Sequence, residues 1–297
     1  MRVLSRGGFL SAEQARFERN ADNIDGRANE WLCYHFTHFH GTLRPVPHLI
    51  IALRSLKTAL RKVPGVARLA RLCRILGDPA YRSEWRLARA RPEHLFQPYG
   101  CTVFDRHSRV FAFIREQLSD GTARRILSYG CSTGEEVFSL RDYFPQAEIV
   151  GIDINPRSID VCRKKLRRSG DGRIRFARAA TPWDQVADSY DAVLCLSVLR
   201  HGDLTANRAE RCDHLIRFTD FEHIVNGLCH CLKPGGLLVI LGSNFRFSDA
   251  ATAKVFDVVY RIDQALQRAD TPLFGRDNCK LENGLYNDAV FRKKARL

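Results

Sequence analysis

No uninterrupted apolar run in the chain exceeds five residues; Leu49-Ile-Ile-Ala-Leu53 is one of them. A membrane-spanning helix needs roughly 20 such residues. The opening Met1-Arg-Val-Leu-Ser-Arg-Gly-Gly8 has no apolar core of the secretory-leader kind, so a cytoplasmic protein is expected. Ten cysteines are present, yet no two stand in a Cys-x-x-Cys pair. This argues against zinc-ribbon and thioredoxin-type sites. Cys131, Cys195, Cys229 and Cys231 fall in segments that read as core, which fits reduced, buried thiols. Acidic residues are in deficit, 33 against 47 Lys and Arg, giving a formal net charge of +14. Such a field favours anionic partners without naming one. Internal repeats and low-complexity tracts are absent.

What is present centres on Arg125-Ile-Leu-Ser-Tyr-Gly-Cys-Ser-Thr-Gly-Glu-Glu-Val-Phe-Ser-Leu140. Ile126 and Leu127 begin a short apolar strand. Gly130, Ser132 and Gly134 make a small-residue turn, and Val137, Phe138 and Leu140 are spaced for one helix face. Strand, glycine turn and helix together bring backbone N–H groups close to a ligand.

Before this stretch, residues 1–30 are polar and expected to be poorly ordered apart from a short helix at Ser11–Arg19, where Ser11 and Gln14 resemble a capping box. His35, His38 and His40 lie in an aromatic-rich segment. Metal ligation there is weighed against aromatic packing and set aside, because no carboxylate or cysteine set accompanies them. Residues 44–91 hold twelve Lys and Arg against two acidic residues. Two basic amphipathic helices are expected in this region, the second over Val66–Leu76. They read as a cap whose apolar stripes pack on the main domain, in preference to a nucleic-acid or anionic-membrane face. Pro92 to Pro98 reads as a linker, which divides the chain into a basic helical extension (1–98) and a main domain (99–297).

In the main domain a helix over 108–118 precedes alternating strands and helices. Strands are expected near 125–130, 148–153, 173–178, 190–196 and 236–242, and helices at 134–143, 156–168, 218–231 and 249–268. A last strand in 285–294 is expected to form a hairpin with 273–281. The pattern predicts an α/β fold, a Rossmann-like seven-stranded, mostly parallel sheet with helices on both faces.

Asp153 ends the second strand, where nucleotide-binding sheets place a carboxylate for ribose hydroxyls. A dinucleotide fingerprint lacks its later glycines here, and Gly134 is followed by Glu135 rather than the Lys-Ser/Thr of a P-loop. Two glutamates at a helix N-terminus repel phosphate, so the ligand suited to the turn has a ribose and a cation instead.

On these residues the sequence resembles class I S-adenosylmethionine-dependent methyltransferases. It carries Gly-x-Ser-x-Gly after the first strand, Asp153 after the second, and Leu232-Lys-Pro-Gly-Gly236 before the fifth. Gly130–Glu136 with Ser139-Leu140, and Thr102-Val-Phe-Asp-Arg106, are similar to the chemotaxis-receptor glutamate methyltransferases. That resemblance implies Thr102 and Arg106 at the methionine carboxylate, Glu135 at the ammonium and Asp153 at the ribose. Gly130, Ser132, Gly134, Ile154, Ala180 and Ser197 would complete the S-adenosylmethionine site. Two departures stand out. Cys195-Leu-Ser-Val-Leu-Arg-His201 replaces that family's Arg-Asn motif, and the span from Asp153 to Tyr190 is too short for its β-subdomain. A receptor-tail substrate is therefore not expected.

The sequence thus points to a methyltransferase acting at O or N of a small-molecule acceptor, with an anionic one favoured by the charge. His201, after the fourth strand, is the candidate base. Trp183 is a candidate adenine neighbour, and Asn244 to Phe247 and Arg276-Asp277 are candidates for the acceptor side. Two other readings keep the ligand: a lyase or cyclase consuming S-adenosylmethionine, or a non-catalytic binder whose basic region contacts nucleic acid or membrane.

Overall fold

The computed structural model describes residues 66–100, 102–118, 123–263, 271–282 and 285–295. The helix expected at Ser11–Arg19, the histidines at 35, 38 and 40 and the first basic helix lie outside them. The sheet and everything from Ala67 onward form one unit.

Among the described residues three helices precede the sheet: α1 (Val66–Gly77), α2 (Pro79–Ala90) and α3 (Ser108–Gln117). Asp78 separates the first two and caps α2, its Oδ1 accepting from the Ala80 and Tyr81 N–H groups at 2.9 and 3.1 Å. Pro79 at the first helical position has no N–H to leave unpaired.

The sheet follows as β1 (Arg125–Tyr129), α4 (Glu135–Tyr143), β2 (Glu148–Asp153), α5 (Pro156–Ser169), β3 (Ile174–Arg178) and β4 (Tyr190–Leu196). Then come α6 (Gly202–Ala206), α7 (Phe218–Cys231), β5 (Leu232–Leu241), β6 (Phe256–Arg261) and β7 (Asp288–Lys293). Strand order is β3-β2-β1-β4-β5-β7-β6. The first five strands run parallel, and β7 is antiparallel to both neighbours. Alternate residues feed two cores: Leu127, Tyr129 and Val193 face one, while Ile126, Ala192 and Leu194 face the other. A strand buried on both faces reads as continuous apolar sequence, as in β4.

The seven-stranded, mostly parallel sheet is as expected, but the last third differs in detail. Instead of the helix expected over 249–268, up to residue 263 there are two short 3-10 turns (Phe247–Asp249 and Ala251–Val255) and the strand β6, and residues 264–268 lie outside the described ones. Val258, Val259 and Tyr260 are good strand formers once a neighbouring edge offers pairing, and β7 supplies that edge. Consequently the final strand pairs with β5 and β6 rather than with 273–281, where only isolated bridges such as Phe274 to Lys280 form. Lys233 to Gly236 is looped out within β5, with register passing from Tyr190↔Leu232 to Ala192↔Leu237. Gly235 takes φ +78° there.

The bulge serves the amino ends of the central strands. The buried Asp191 carboxylate accepts from Lys233 Nζ at 3.0 Å, the Arg125 N–H at 2.8 Å and Arg124 Nη1 at 3.3 Å. One side chain therefore joins β1, β4 and β5 at the end opposite the ligand cleft. Asp191→Ala leaves these donors without their acceptor and should lower the unfolding free energy by about 3 kcal/mol in a urea titration. A loss under about 0.5 kcal/mol would mean the strands are aligned without it.

Candidate functional site

Parallel sheets of this order place ligands where the strand order reverses, between the carboxyl ends of β1 and β4. A cleft opens there. Its floor is the glycine turn. Gly130 at φ +74° and Gly134 at φ +93° take conformations that L side chains rarely adopt. A Cβ at Gly130 would sit 2.3 Å from Val198 Cγ2, so the turn and the loop after β4 touch because this residue has no side chain. The Gly130 and Cys131 N–H groups donate to the Ile152 carbonyl at 2.8 and 3.0 Å, fastening the turn to β2.

Asp153 completes that attachment. Its Oδ2 accepts the Ser132 N–H at 2.8 Å, and its Oδ1 accepts the Asn155 N–H at 2.7 Å. Each oxygen keeps a second lone pair beside the cleft. Burial raises the carboxyl pKa, against which the two amides act in the opposite direction. Tyr129, ending β1, donates its hydroxyl to the Ala180 carbonyl at 2.8 Å and so holds the chain after β3 at the rim.

The residue chosen at the helix start differs from expectation. Glu135 is turned away from the cleft, held by Lys165 in an ion pair and by the Thr133 hydroxyl at 2.6 Å. Glu136, one residue on and so rotated by about 100°, lines the cleft instead. Ser128 Oγ on β1 donates to it at 2.9 Å. Burial pushes its pKa up to about 7, opposed by Ser128 and by the positive charge of Arg106.

Of the residues singled out in sequence, Thr102, Arg106, Gly130, Ser132, Asp153, Ile154, Ala180 and Ser197 line this one cleft. Gly134, Glu135 and His201 do not. Gly134 supports the turn from behind, where an added Cβ would meet Cys162 Sγ at 3.0 Å. His201 is buried, and its Nδ1 accepts the Asp203 N–H at 3.2 Å, capping α6. Burial lowers its pKa. Trp183 packs with His223 and His230 beside α7, where Gly227 leaves room for it, rather than in the cleft. Asn244 is a buried clamp, accepting from the His201 N–H at 2.7 Å and donating to the Pro272 carbonyl at 2.7 Å. Arg276 lies over Phe218. Among the described residues no group of three His, Cys, Asp or Glu is placed to hold a metal ion.

Sequence reasoning missed three contributors. The segment read as a linker supplies a wall of the cleft through Leu95, Phe96 and Tyr99, and Leu87 of α2 joins it. Its attachment explains this: Gln97 Oε1 accepts the Gly202 N–H, and Ser83 Oγ of α2 donates to Asn155 Oδ1 at 2.8 Å. The adjacent Leu95 and Phe96, with Tyr99 three residues on, were the available signal. His107, beside Arg106, also lines the cleft, edge-on to Phe111. Burial first and Arg106 second hold its pKa down at about 4. Glu136 was hidden only by standing next to another glutamate.

Glu136 gives a test through stability. Its folded pKa of about 7 exceeds its ordinary value of 4.5, so the folded protein retains a proton that the unfolded chain has released. Its contribution is fully present below pH 4.5 and is lost as pH rises through 7. Glu136→Gln, which never ionises, should match wild type near pH 4 and exceed it at pH 8 by on the order of 3 kcal/mol. Equal stability at both pH values would contradict the burial of this carboxyl.

Comparison with known proteins bears on the family of the chain. Residues 120–273 match the family described as methyltransferase domain. A demethylmenaquinone methyltransferase of Thermus thermophilus is 31% identical over 121 residues, covering 40% of this chain and 46% of that protein. The Deinococcus radiodurans protein of the same name is 29% identical over 142 residues, covering 47% and 49%. The chain thus spans about half the length of the curated relatives it matches. A solved S-adenosylmethionine-bound amino pentose methyltransferase from Micromonospora echinaspora is 23% identical, covering 54% of this chain and 55% of its own, with a TM-score of 0.37. With its family match covering more than half of its length, the chain belongs to the methyltransferase-domain family.

Proposed function

We propose that the chain transfers the methyl group of S-adenosylmethionine to oxygen or nitrogen of a small-molecule acceptor. The observation that carries this is the Asp153 carboxylate, fixed by two backbone amides with free lone pairs at the cleft. Ribose hydroxyls are the donors such a carboxylate suits. Glu136 rather than Glu135 then takes the ammonium, and a cation beside it favours its ionised form. Arg106 and Thr102 receive the methionine carboxylate, and Ile154, Ala180 and Ser197 flank the adenine.

The acceptor side is the wall of Leu87, Leu95, Phe96, Tyr99 and Val198. An apolar, partly aromatic wall suits a flat ring, and the name of the two matched relatives, demethylmenaquinone methyltransferase, supports that reading. The overall positive charge favours an acceptor that reacts as an anion, such as a phenolate. Because the sulfonium is already activated, alignment of the two reacting atoms and removal of one proton supply most of the catalysis. His107 is one of two histidines lining the cleft, the other being His94, and its ring is neutral at ordinary pH. When the donor's carboxylate neutralises Arg106, the ring becomes more basic. His201 is assigned to the loop after β4, which it holds through α6.

Two measurements test this reading. Incubation with S-adenosylmethionine and a hydroxylated aromatic acceptor should yield S-adenosylhomocysteine by chromatography; methylthioadenosine in its place would indicate a lyase or cyclase. His107→Gln should lower turnover about 100-fold with donor affinity unchanged, while His201→Gln should mainly lower stability. The opposite pattern would return the base to His201.

A further inference from the structure

Helix α1 carries apolar residues that no described residue covers. Leu69, Leu72 and Leu76 recur at three- and four-residue spacing along one stripe, and they are 62, 52 and 67% exposed. The stripe expected to pack on the main domain is therefore open. Arg71 is exposed on the same helix, and the Arg74 guanidinium lies 4.0 Å over the Tyr81 ring. From Val66 to Arg91 there are seven arginines and two acidic residues, a local excess of five (7 − 2). Both acids are already engaged by backbone amides, Asp78 at the start of α2 and Glu84 at the Gly100 N–H.

We propose that α1 is a docking helix for an anionic lipid surface. Exposed leucines beside arginines are what a helix lying in the headgroup layer requires: the apolar face enters the acyl boundary and the guanidinium groups meet lipid phosphates. Twelve residues make a helix about 18 Å long, a surface element and not a span. Charge decides among occupants. A second copy would bring a like-charged α1–α2 segment against this one, which costs energy at short range. A nucleic-acid backbone would leave the leucine stripe unused, and Tyr81 and Trp85 are occupied by Arg74 and Arg89.

The segment also links this helix to the cleft. Helix α2 is tied to the rim through Ser83 and Asn155, and its Leu87 belongs to the acceptor wall. An acceptor with a lipophilic tail, held in the bilayer, would be presented next to that wall. This consequence rests on the methyltransferase reading, whereas lipid docking does not.

The test is co-sedimentation of the full chain with vesicles of phosphatidylcholine alone or containing about one-third phosphatidylglycerol. Wild type should pellet with the anionic vesicles only, and the binding should weaken in about 0.5 M salt. The triple variant Leu69→Ser, Leu72→Ser, Leu76→Ser should lose about tenfold or more in partition. Its calorimetric affinity for S-adenosylmethionine should be unchanged, since none of the three lines the cleft. Wild type that stays in the supernatant, or a triple variant that pellets like wild type, overturns the proposal. So does a wild-type dimer that the variant loses, a fall of several degrees in its Tm, or preferential retention on double-stranded DNA. Vesicle binding is read without turnover, so its failure and a failure of methyl transfer are distinguishable.

Discussion

The Asp153 carboxylate is the point at which the turn after β1 and the end of β2 become one surface. Without its bonds to the Ser132 and Asn155 amides, the turn would be attached to β2 only through the Ile152 carbonyl. Desolvation works against the charged form, and the amides work for it. A buried carboxylate that is only partly satisfied by its own protein is suited to complete its hydrogen bonds with a ligand. The cleft is built outward from that incomplete shell.

Around it the protein separates supporting charges from exposed ones. Asp191 binds the strands together at the far end of the sheet, and Lys165 holds Glu135 out of the way. Glu136 and His107 remain beside the cleft, the first with a raised pKa and the second with a lowered one. Both are thereby biased toward their neutral forms before a ligand arrives. A donor carrying an ammonium, a sulfonium and a carboxylate changes that balance, ionising Glu136 and relieving the effect of Arg106 on His107.

The parallel half of the sheet was legible because most of its strands are short apolar runs, β3 interleaves apolar residues with arginines, and Gly130, Gly134 and Asp153 stand where the turns need them. The other half was less so. Residues 256–261 carry no period that separates strand from helix, and only pairing with β7 settles the matter. At the site, eight of the residues read from sequence meet in one cleft, since backbone position dictates them. Glu135, His201 and Trp183 do not, because the helix phase at Glu135, the cap at His201 and the Gly227 recess beside Trp183 depend on tertiary neighbours. The wall from Leu95 to Tyr99 was obscured for a related reason, as Pro92 and Pro98 give a packed segment the composition of a linker.

Everything proposed for the chemistry depends on the donor lying across Asp153 with its amino-acid end toward Glu136 and Arg106. The most direct measurement is a crystal structure of the protein with S-adenosylhomocysteine. The account predicts ribose hydroxyls within hydrogen-bond distance of both Asp153 oxygens, the amino group at Glu136, and the sulfur facing the wall of Leu95, Phe96 and Tyr99. A ligand bound elsewhere, or in this cleft with its ribose away from Asp153, would contradict it.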